Sequence, residues 1–280
     1  MKCKLVDVFT HQKLQGNGLT IFYDFDELSG SDMLALTQEM RQFESIFLSQ
    51  NEDGFRARIF TVEEELDFAG HPLLGLAYHL HESFGQEPEH QWQVQLNSRA
   101  VNLVSRQEGD LFMASMSQGV PEYIKVLSHE DAEPLYRALN LYQSELELYP
   151  AEVISTGLPY VILPVDGGLE MIAFKVPDLT PLLEPMEAKF LYVLDINTFE
   201  GRTWDNAGKV EDIATGSAAG PAAAYLFKRG FTASDQITLQ QGRFVGRPSR
   251  ITVDLLCDGP NIRGIHVSGN VVKVADMTFV

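Results

Sequence analysis

Residues 65–75 read Glu65-Leu66-Asp67-Phe68-Ala69-Gly70-His71-Pro72-Leu73-Leu74-Gly75, and residues 211–220 read Glu211-Asp212-Ile213-Ala214-Thr215-Gly216-Ser217-Ala218-Ala219-Gly220. In each, an acidic turn reaches a glycine, then a polar residue (His71, Ser217), then a stretch rich in Ala and Leu. The spacing predicts helices over 72–81 and 218–228, with Pro72 suited to a first helical turn. A second echo ties Gly16-Asn17-Gly18-Leu19-Thr20-Ile21-Phe22 to Thr156-Gly157-Leu158-Pro159-Tyr160-Val161-Ile162, each a glycine turn feeding an apolar run. An internal repeat of this kind predicts two similar lobes.

Working outward, short runs rich in Val, Ile, Leu, Phe and Thr predict strands at 4–9, 19–23, 45–48, 56–60, 92–96, 101–104 and 111–116. The second half repeats this with strands at 152–155, 160–164, 190–194, 236–239, 250–255, 262–267 and 271–274. Helical spacing also places Met33, Leu36 and Met40 on one stripe of 31–42, with Ser31 as N-cap, and predicts an acidic helix over 128–140. Many strands with few helices indicate an α+β or barrel-like fold. The pattern breaks near 118–123, so the expected lobes are 1–117 and 118–280, with a last strand of about 268–280 able to return to the first lobe. No flexible Gly/Ser linker separates them.

The chain has 280 residues, enough for two lobes of roughly 120–150 residues that each bury a core. Hydrophobic residues make up 45% and charged residues 21%, as in globular proteins. A formal net charge of -18 repels phosphate backbones and anionic lipid, which argues against nucleic-acid and membrane partners. A small anionic substrate is still compatible, because local N–H groups at a helix start can hold a carboxylate. The first residues lack the layout of a signal peptide, and no apolar run spans about 18 residues, so a cytoplasmic location is expected. Cys3 and Cys257 offer neither a disulfide framework nor metal-ligand spacing, and two buried reduced thiols are expected.

The duplicated helix starts are the first candidates for chemistry. Two such N-termini, at Gly70–His71 and Gly216–Ser217, would face each other across a cleft and offer unpaired N–H groups to a carboxylate or oxyanion. Ordinary helix capping also explains either turn alone. His71 and Asp212 flank these turns, and an imidazole or carboxylate there can orient a substrate or move a proton, although Asp212 could simply cap the helix. Glu44, in Arg41-Gln42-Phe43-Glu44-Ser45-Ile46-Phe47-Leu48, precedes an apolar strand where partial desolvation would suit a general acid/base. Gly16-Asn17-Gly18 lacks the third glycine of a dinucleotide site, and no phosphate-binding loop occurs. His79 and His81, two apart on a helix, point to different faces, so no metal site is expected.

These motifs, in this order, resemble the PhzF-like isomerase family of phenazine biosynthesis, within the wider diaminopimelate-epimerase-like fold. The resemblance spans nearly the whole chain. It is carried by Asp7-Val8-Phe9-Thr10 with Gly16-Asn17, by Glu44-Ser45-Ile46-Phe47, Arg58-Ile59-Phe60-Thr61 and Phe68-Ala69-Gly70-His71-Pro72, and by the run from Asp212 to Pro221. Gln241-Gly242-Arg243-Phe244-Val245-Gly246-Arg247-Pro248-Ser249 completes it. It implies two pseudo-symmetric lobes, each a curved sheet or barrel around a central helix, and a homodimer. It further implies cofactor-independent proton transfer by Glu44, with His71 and Asp212 as catalytic partners and Asn17, Gly70, Gly216 and Ser217 binding substrate. Phe43 stands where the family often has a hydroxyl, while Ile213 and Gly18 each replace a frequent proline. Two other functions compete: an amino-acid epimerase or racemase using two thiols at the helix starts, where this chain has Ala69 and Ile213, and a non-catalytic small-metabolite-binding protein.

Overall fold

The apolar runs near the N-terminus alternate imperfectly because the strands they form are buried on both faces, as the burial of β1 (Lys2–Val8) and β2 (Asn17–Tyr23) shows. The computed structural model describes residues 1–52, 54–141 and 149–279. Val280, the end of the expected last strand, lies outside them. After β2 come α1 (Gly30–Met40), β3 (Glu44–Asn51), β4 (Gly54–Thr61), β5 (Glu65–Leu66), α2 (Gly70–Phe84), β6 (Glu89–Gln95), β7 (Ala100–Glu108) and β8 (Leu111–Gly119). Then follow β9 (Glu122–Val126), α3 (His129–Ala138), β10 (Glu152–Ser155), β11 (Pro159–Val165), α4 (Thr180–Leu183), β12 (Phe190–Asp195) and β13 (Glu200–Arg202). The chain closes with α5 (Gly216–Lys228), β14 (Gln236–Gln241), β15 (Ser249–Asp258) and β16 (Asn261–Thr278).

The chain divides into two compact units, Met1–Ser117 with Arg247–Arg250 and Ser268–Val280, and Gln118–Gly246 with Ile251–Val267. In unit 1 the strand order is β1-β2-β3-β4-β6-β7-β8, and β16 neighbours both β8 and β1, so the strands return on themselves around α2. In unit 2 the order runs β15-β14-β13-β12-β11-β10-β9. The repeat seen in sequence recurs in the pairing pattern. Antiparallel, parallel, antiparallel and parallel pairs follow one another in β1/β2, β2/β3, β3/β4 and β4/β6. The same succession holds in β10/β11, β11/β12, β12/β13 and β13/β14.

The two repeated helices are apolar around most of their circumference, which suits helices enclosed by sheet. Both begin at the glycine of the repeated turn, two residues earlier than their composition predicts. Gly75 lets α2 approach the sheet: a Cβ there would collide with Leu19 Cδ2 and lie 3.2 and 3.3 Å from Val6 and Val8 Cγ2, all fully buried. Gly75→Ala is therefore expected to cost about 1–3 kcal/mol by overpacking, despite alanine's better helix propensity. A lowered urea midpoint checks this. On the outer face, α1 covers Cys3, Phe22, Phe47 and Phe60, with Phe22 stacked on its strand neighbour Phe47 at 4.5 Å between centroids.

Some elements differ from the sequence expectation. The N-cap of α1 is Ser29 rather than Ser31, because Asp32 at the third helical position returns the hydrogen bond and completes a capping box. The strands expected at 262–267 and 271–274 are one continuous β16, since Gly269 marks a close approach to Phe9 rather than a turn. The short β5, β9 and β13 have no counterpart in the expected strands. Cys3 is buried as expected, but Cys257 is exposed near the outer end of β15, and both are free thiols.

Inside unit 1 the buried Lys4 ammonium donates to His79 Nδ1 at 3.2 Å and pairs with Glu82, while His79 packs on Tyr23. Burial, reinforced by the Lys4 charge, pushes the His79 pKa down to about 4. Burial would raise Glu82, but hydrogen bonds from Lys273 and Lys4 bring it down to about 2. Because folded His79 resists a proton that unfolded His79 takes near pH 6.5, stability falls as pH drops from about 6.5 toward 4. The Glu82 contribution is lost only below about 4.5, so the two windows separate. His79→Gln, which keeps an acceptor, is expected to flatten the upper window by roughly 3 kcal/mol at most. Urea unfolding at pH 7 and pH 5 measures it.

Candidate active site

Glu44 opens β3 and is buried, so its carboxylate is not the solvated group that acidic residues between a helix and a strand usually are. The parallel register sets Leu19 beside Glu44, and side chains two apart share a face, so Asn17, Leu19 and Glu44 lie on the α2 side of the sheet. From that helix, in its first turn, His71 Nδ1 meets Glu44 Oε2 at 2.8 Å. His71 is only 5% exposed, and its other ring nitrogen, Nε2, is buried without a hydrogen-bond partner. A buried polar atom left unpaired costs about 1–3 kcal/mol, so such an atom calls for a functional reason.

The same turn leaves backbone donors open. The N-cap of α2 is Ala69, which has no side-chain acceptor, and Pro72 carries no N–H. The open donors of this first turn are thus the N–H groups of Gly70 and His71. The approach to Asn17 is held by Arg247, whose guanidinium bonds Asp7 Oδ1 at 2.6 Å and the carbonyls of Gly16 and Gln15. Asp7 also accepts Leu14 N–H at 2.6 Å. Burial pushes the Asp7 pKa up, against these bonds. Gly16 needs its glycine: φ is +66° and a Cβ would strike the Val8 carbonyl. The motif residues Asp7, Gly16 and Arg247 therefore position Asn17, which is itself buried at the start of β2.

Unit 2 carries the other group. Thr215, not Asp212, is the N-cap of α5, and its side chain makes no capping bond: the hydroxyl donates to Asp212 Oδ2 at 2.5 Å and its oxygen accepts from Gln241 Nε2. Gly216 and Ser217 supply the open N–H groups here, since Ala218 and Ala219 N–H both return to the Thr215 carbonyl. Ser217 Oγ lies 2.8 Å from the Tyr160 hydroxyl on β11. Gln118 Nε2 donates to the Gly216 carbonyl at 2.8 Å, and Gly220 leaves the space that the Gln118 side chain occupies. Arg202 binds Glu211 through two nitrogens, at 2.9 and 2.6 Å, and stacks 4.0 Å from the Phe244 ring centre. That ties Glu211, the residue before Asp212, to the end of β13.

The structure thus brings Glu44 together with His71 and Gly70, and Asp212 together with Gly216 and Ser217. Four residues that were not proposed as site residues, Thr215, Tyr160, Gln118 and Arg202, support the second group. Tyr160 and Gln118 meet partners 57 and 98 positions away, which sequence cannot show, whereas Thr215, like Gln241, stood inside a quoted motif. Among the described residues, no group of three His, Cys, Asp or Glu side chains could hold a metal ion. His79 and His81 go to different partners, Lys4 and Ser105.

Comparison with known proteins bears directly on this arrangement. Residues 6–277 match the phenazine biosynthesis-like protein family. The chain belongs to that family. A trans-2,3-dihydro-3-hydroxyanthranilate isomerase of Pseudomonas aeruginosa is 35% identical, over 97% of this chain and 96% of the relative. A solved structure described as a predicted epimerase, also of Pseudomonas aeruginosa, superposes with a TM-score of 0.91 at 44% identity, covering 100% of this chain and 99% of the other. A probable proline racemase from Agrobacterium radiobacter, at TM-score 0.56 and 12% identity over 100% and 92% of the two chains, shares the fold alone. The chain therefore has the diaminopimelate-epimerase-like fold, and it is an isomerase by family. No helix among its described residues is long and apolar enough to cross a membrane.

Proposed function

We propose that this protein moves a proton between two carbons of a small, carboxylate-bearing substrate, with Glu44 as the acid/base and without a metal or organic cofactor. The observation that carries the proposal is the buried Glu44–His71 pair, whose outer ring nitrogen has no protein partner. With Glu44 ionised, His71 Nδ1–H donates to Oε2, which orients the carboxylate and leaves Oε1 to collect a proton. As a substrate C–H bond breaks, its electron pair enters an adjacent π system and the proton passes to Glu44. The proton on the carboxyl exchanges with solvent, and the same carboxyl then delivers a proton at the far end of that system, so nothing is gained or lost overall. His71 Nε2 accepts a hydrogen bond from a substrate N–H or O–H.

Open amides at Gly70 and His71 suit the charge that develops on deprotonation, and those at Gly216 and Ser217 suit a carboxylate. Asp212 polarises the substrate, and Asn17 contributes to binding. The Pseudomonas aeruginosa relative's named substrate, an unsaturated ring acid, belongs to the class proposed. Phe43, without a hydrogen-bonding group beside Glu44, argues against carrying over that one compound. The family resemblance also implies a homodimer, and a cytoplasmic location is proposed alongside it; sedimentation equilibrium and cell fractionation test the two.

Two-thiol epimerase chemistry is disfavoured, because Ala69 precedes α2, Ile213 sits in the loop before α5, and neither Cys3 nor Cys257 lies near a helix start in the chain. The test is a screen of small carboxylates and cyclic diene acids with chelator-treated protein, followed by proton NMR. A double-bond isomer formed without added cofactor supports the proposal. An inverted stereocentre would favour the epimerase reading, and tight binding without turnover the binding-protein reading.

A further inference from the structure

Gln241, the last residue of β14, is 1% exposed, and its side-chain amide makes four hydrogen bonds. Nε2 donates to the Asp212 carbonyl at 2.8 Å and to Thr215 Oγ1 at 2.9 Å. Oε1 accepts Thr215 N–H at 3.1 Å and the Tyr192 hydroxyl at 3.3 Å. The amide has only one possible orientation. A carbonyl can only accept and a backbone N–H can only donate, so a flipped amide would set acceptor against acceptor and donor against donor. Burial raises the Tyr192 phenol pKa and keeps it a donor. Tyr192 reaches Gln241 beside Gly201, where any Cβ would collide with its ring.

The orientation of the amide dictates the next bond. Because Thr215 Oγ1 receives a hydrogen from Gln241, its own hydrogen is directed to Asp212 Oδ2, at the short 2.5 Å separation of a charge-assisted bond. The backbone of Asp212 is held on both sides, its N–H by the Thr203 carbonyl and its carbonyl by Gln241. On the carboxylate itself, the Thr215 hydroxyl makes the short bond to Oδ2, while the Ala214 N–H reaches Oδ1 only at 3.4 Å, so Thr215 is the stronger constraint on its rotation. We propose that Gln241 is a positioning residue that orients Asp212 through a one-way relay, Gln241 N–H to Thr215 O–H to the Asp212 carboxylate. The inference rests on the proposed role of Asp212 in turnover.

Thr215→Val keeps the shape and removes the hydroxyl, Thr215→Ser keeps the hydroxyl, and Gln241→Glu keeps the shape and removes both donors. For a substrate found in the screen, kcat is expected to fall about 10- to 100-fold in Thr215→Val and in Gln241→Glu with a smaller change in KM. Thr215→Ser restores it. The double variant falls no further than the weaker single variant, because both changes break one relay. Wild-type kcat in Thr215→Val, or multiplicative losses in the double variant, overturn the inference. Glu44→Gln is the control: if it also keeps full activity, the proposed function has failed rather than the relay. A crystal structure of Thr215→Val needs no substrate. A displaced Asp212 carboxylate supports the relay, and an unmoved one contradicts it even if Gln241→Glu fails to fold.

Discussion

Glu44→Gln is expected to lower kcat/KM by on the order of 10²–10⁴-fold while barely moving thermal stability. The amide is isosteric with the carboxylate, and its oxygen can still accept the His71 Nδ1 hydrogen seen at 2.8 Å, so packing at the start of β3 is preserved. What it lacks is an atom that can take a proton from carbon and hold it. Glu44→Asp separates chemistry from placement. It keeps the base but withdraws it by one methylene from a partner on α2, and an intermediate loss is expected, since misplacement by about 1 Å can cost 10²-fold. Steady-state kinetics with matched melting curves measure both. A Gln variant with wild-type turnover would remove Glu44 from the chemistry.

The second large effect lies at His71, where two variants divide the two ring nitrogens. The His71→Asn substitution places an amide near the position of Nδ1, and His71→Gln places one near Nε2. His71→Asn is expected to keep Glu44 oriented and chiefly raise KM, whereas His71→Gln leaves Glu44 without its partner and chiefly lowers kcat. His71→Phe removes both contacts and is expected to lower kcat/KM by about 10²–10³-fold. Phe also leaves the buried Glu44 carboxylate unpaired, at a cost of about 3–5 kcal/mol. Equal kinetics for the Asn and Gln variants would contradict this division, because the two nitrogens would then have no separate duties.

What could be read from sequence was local. Gly70 and Gly216 announced α2 and α5, because a glycine turn followed by Ala and Leu is a pattern of neighbouring residues. The capping box of α1 was equally legible in Ser29 and Asp32, although Ser31 looked like the cap. β9 and β13 were not legible, since β9 carries Glu122 and Lys125 and is buried on neither face, and β13 has only three residues. At the site, Glu44 drew its standing from the family resemblance rather than from its surroundings, because spacing cannot show that His71, 27 positions later, reaches its carboxylate. Thr215 and Gln241 illustrate the same limit, as partners 26 residues apart with α5 between them. Side-chain partnerships of this kind arise only when the sheets bring distant strands and helix starts together.

Deuterium incorporation tests the central claim most directly. In D₂O, the wild-type protein with its substrate should return product labelled at a single carbon, the one that receives the proton from Glu44. Glu44→Gln should return unreacted, unlabelled substrate over the same interval. Product from Glu44→Gln carrying as much deuterium at that carbon, formed at the wild-type rate, would contradict the assignment of Glu44 as the group that moves the proton.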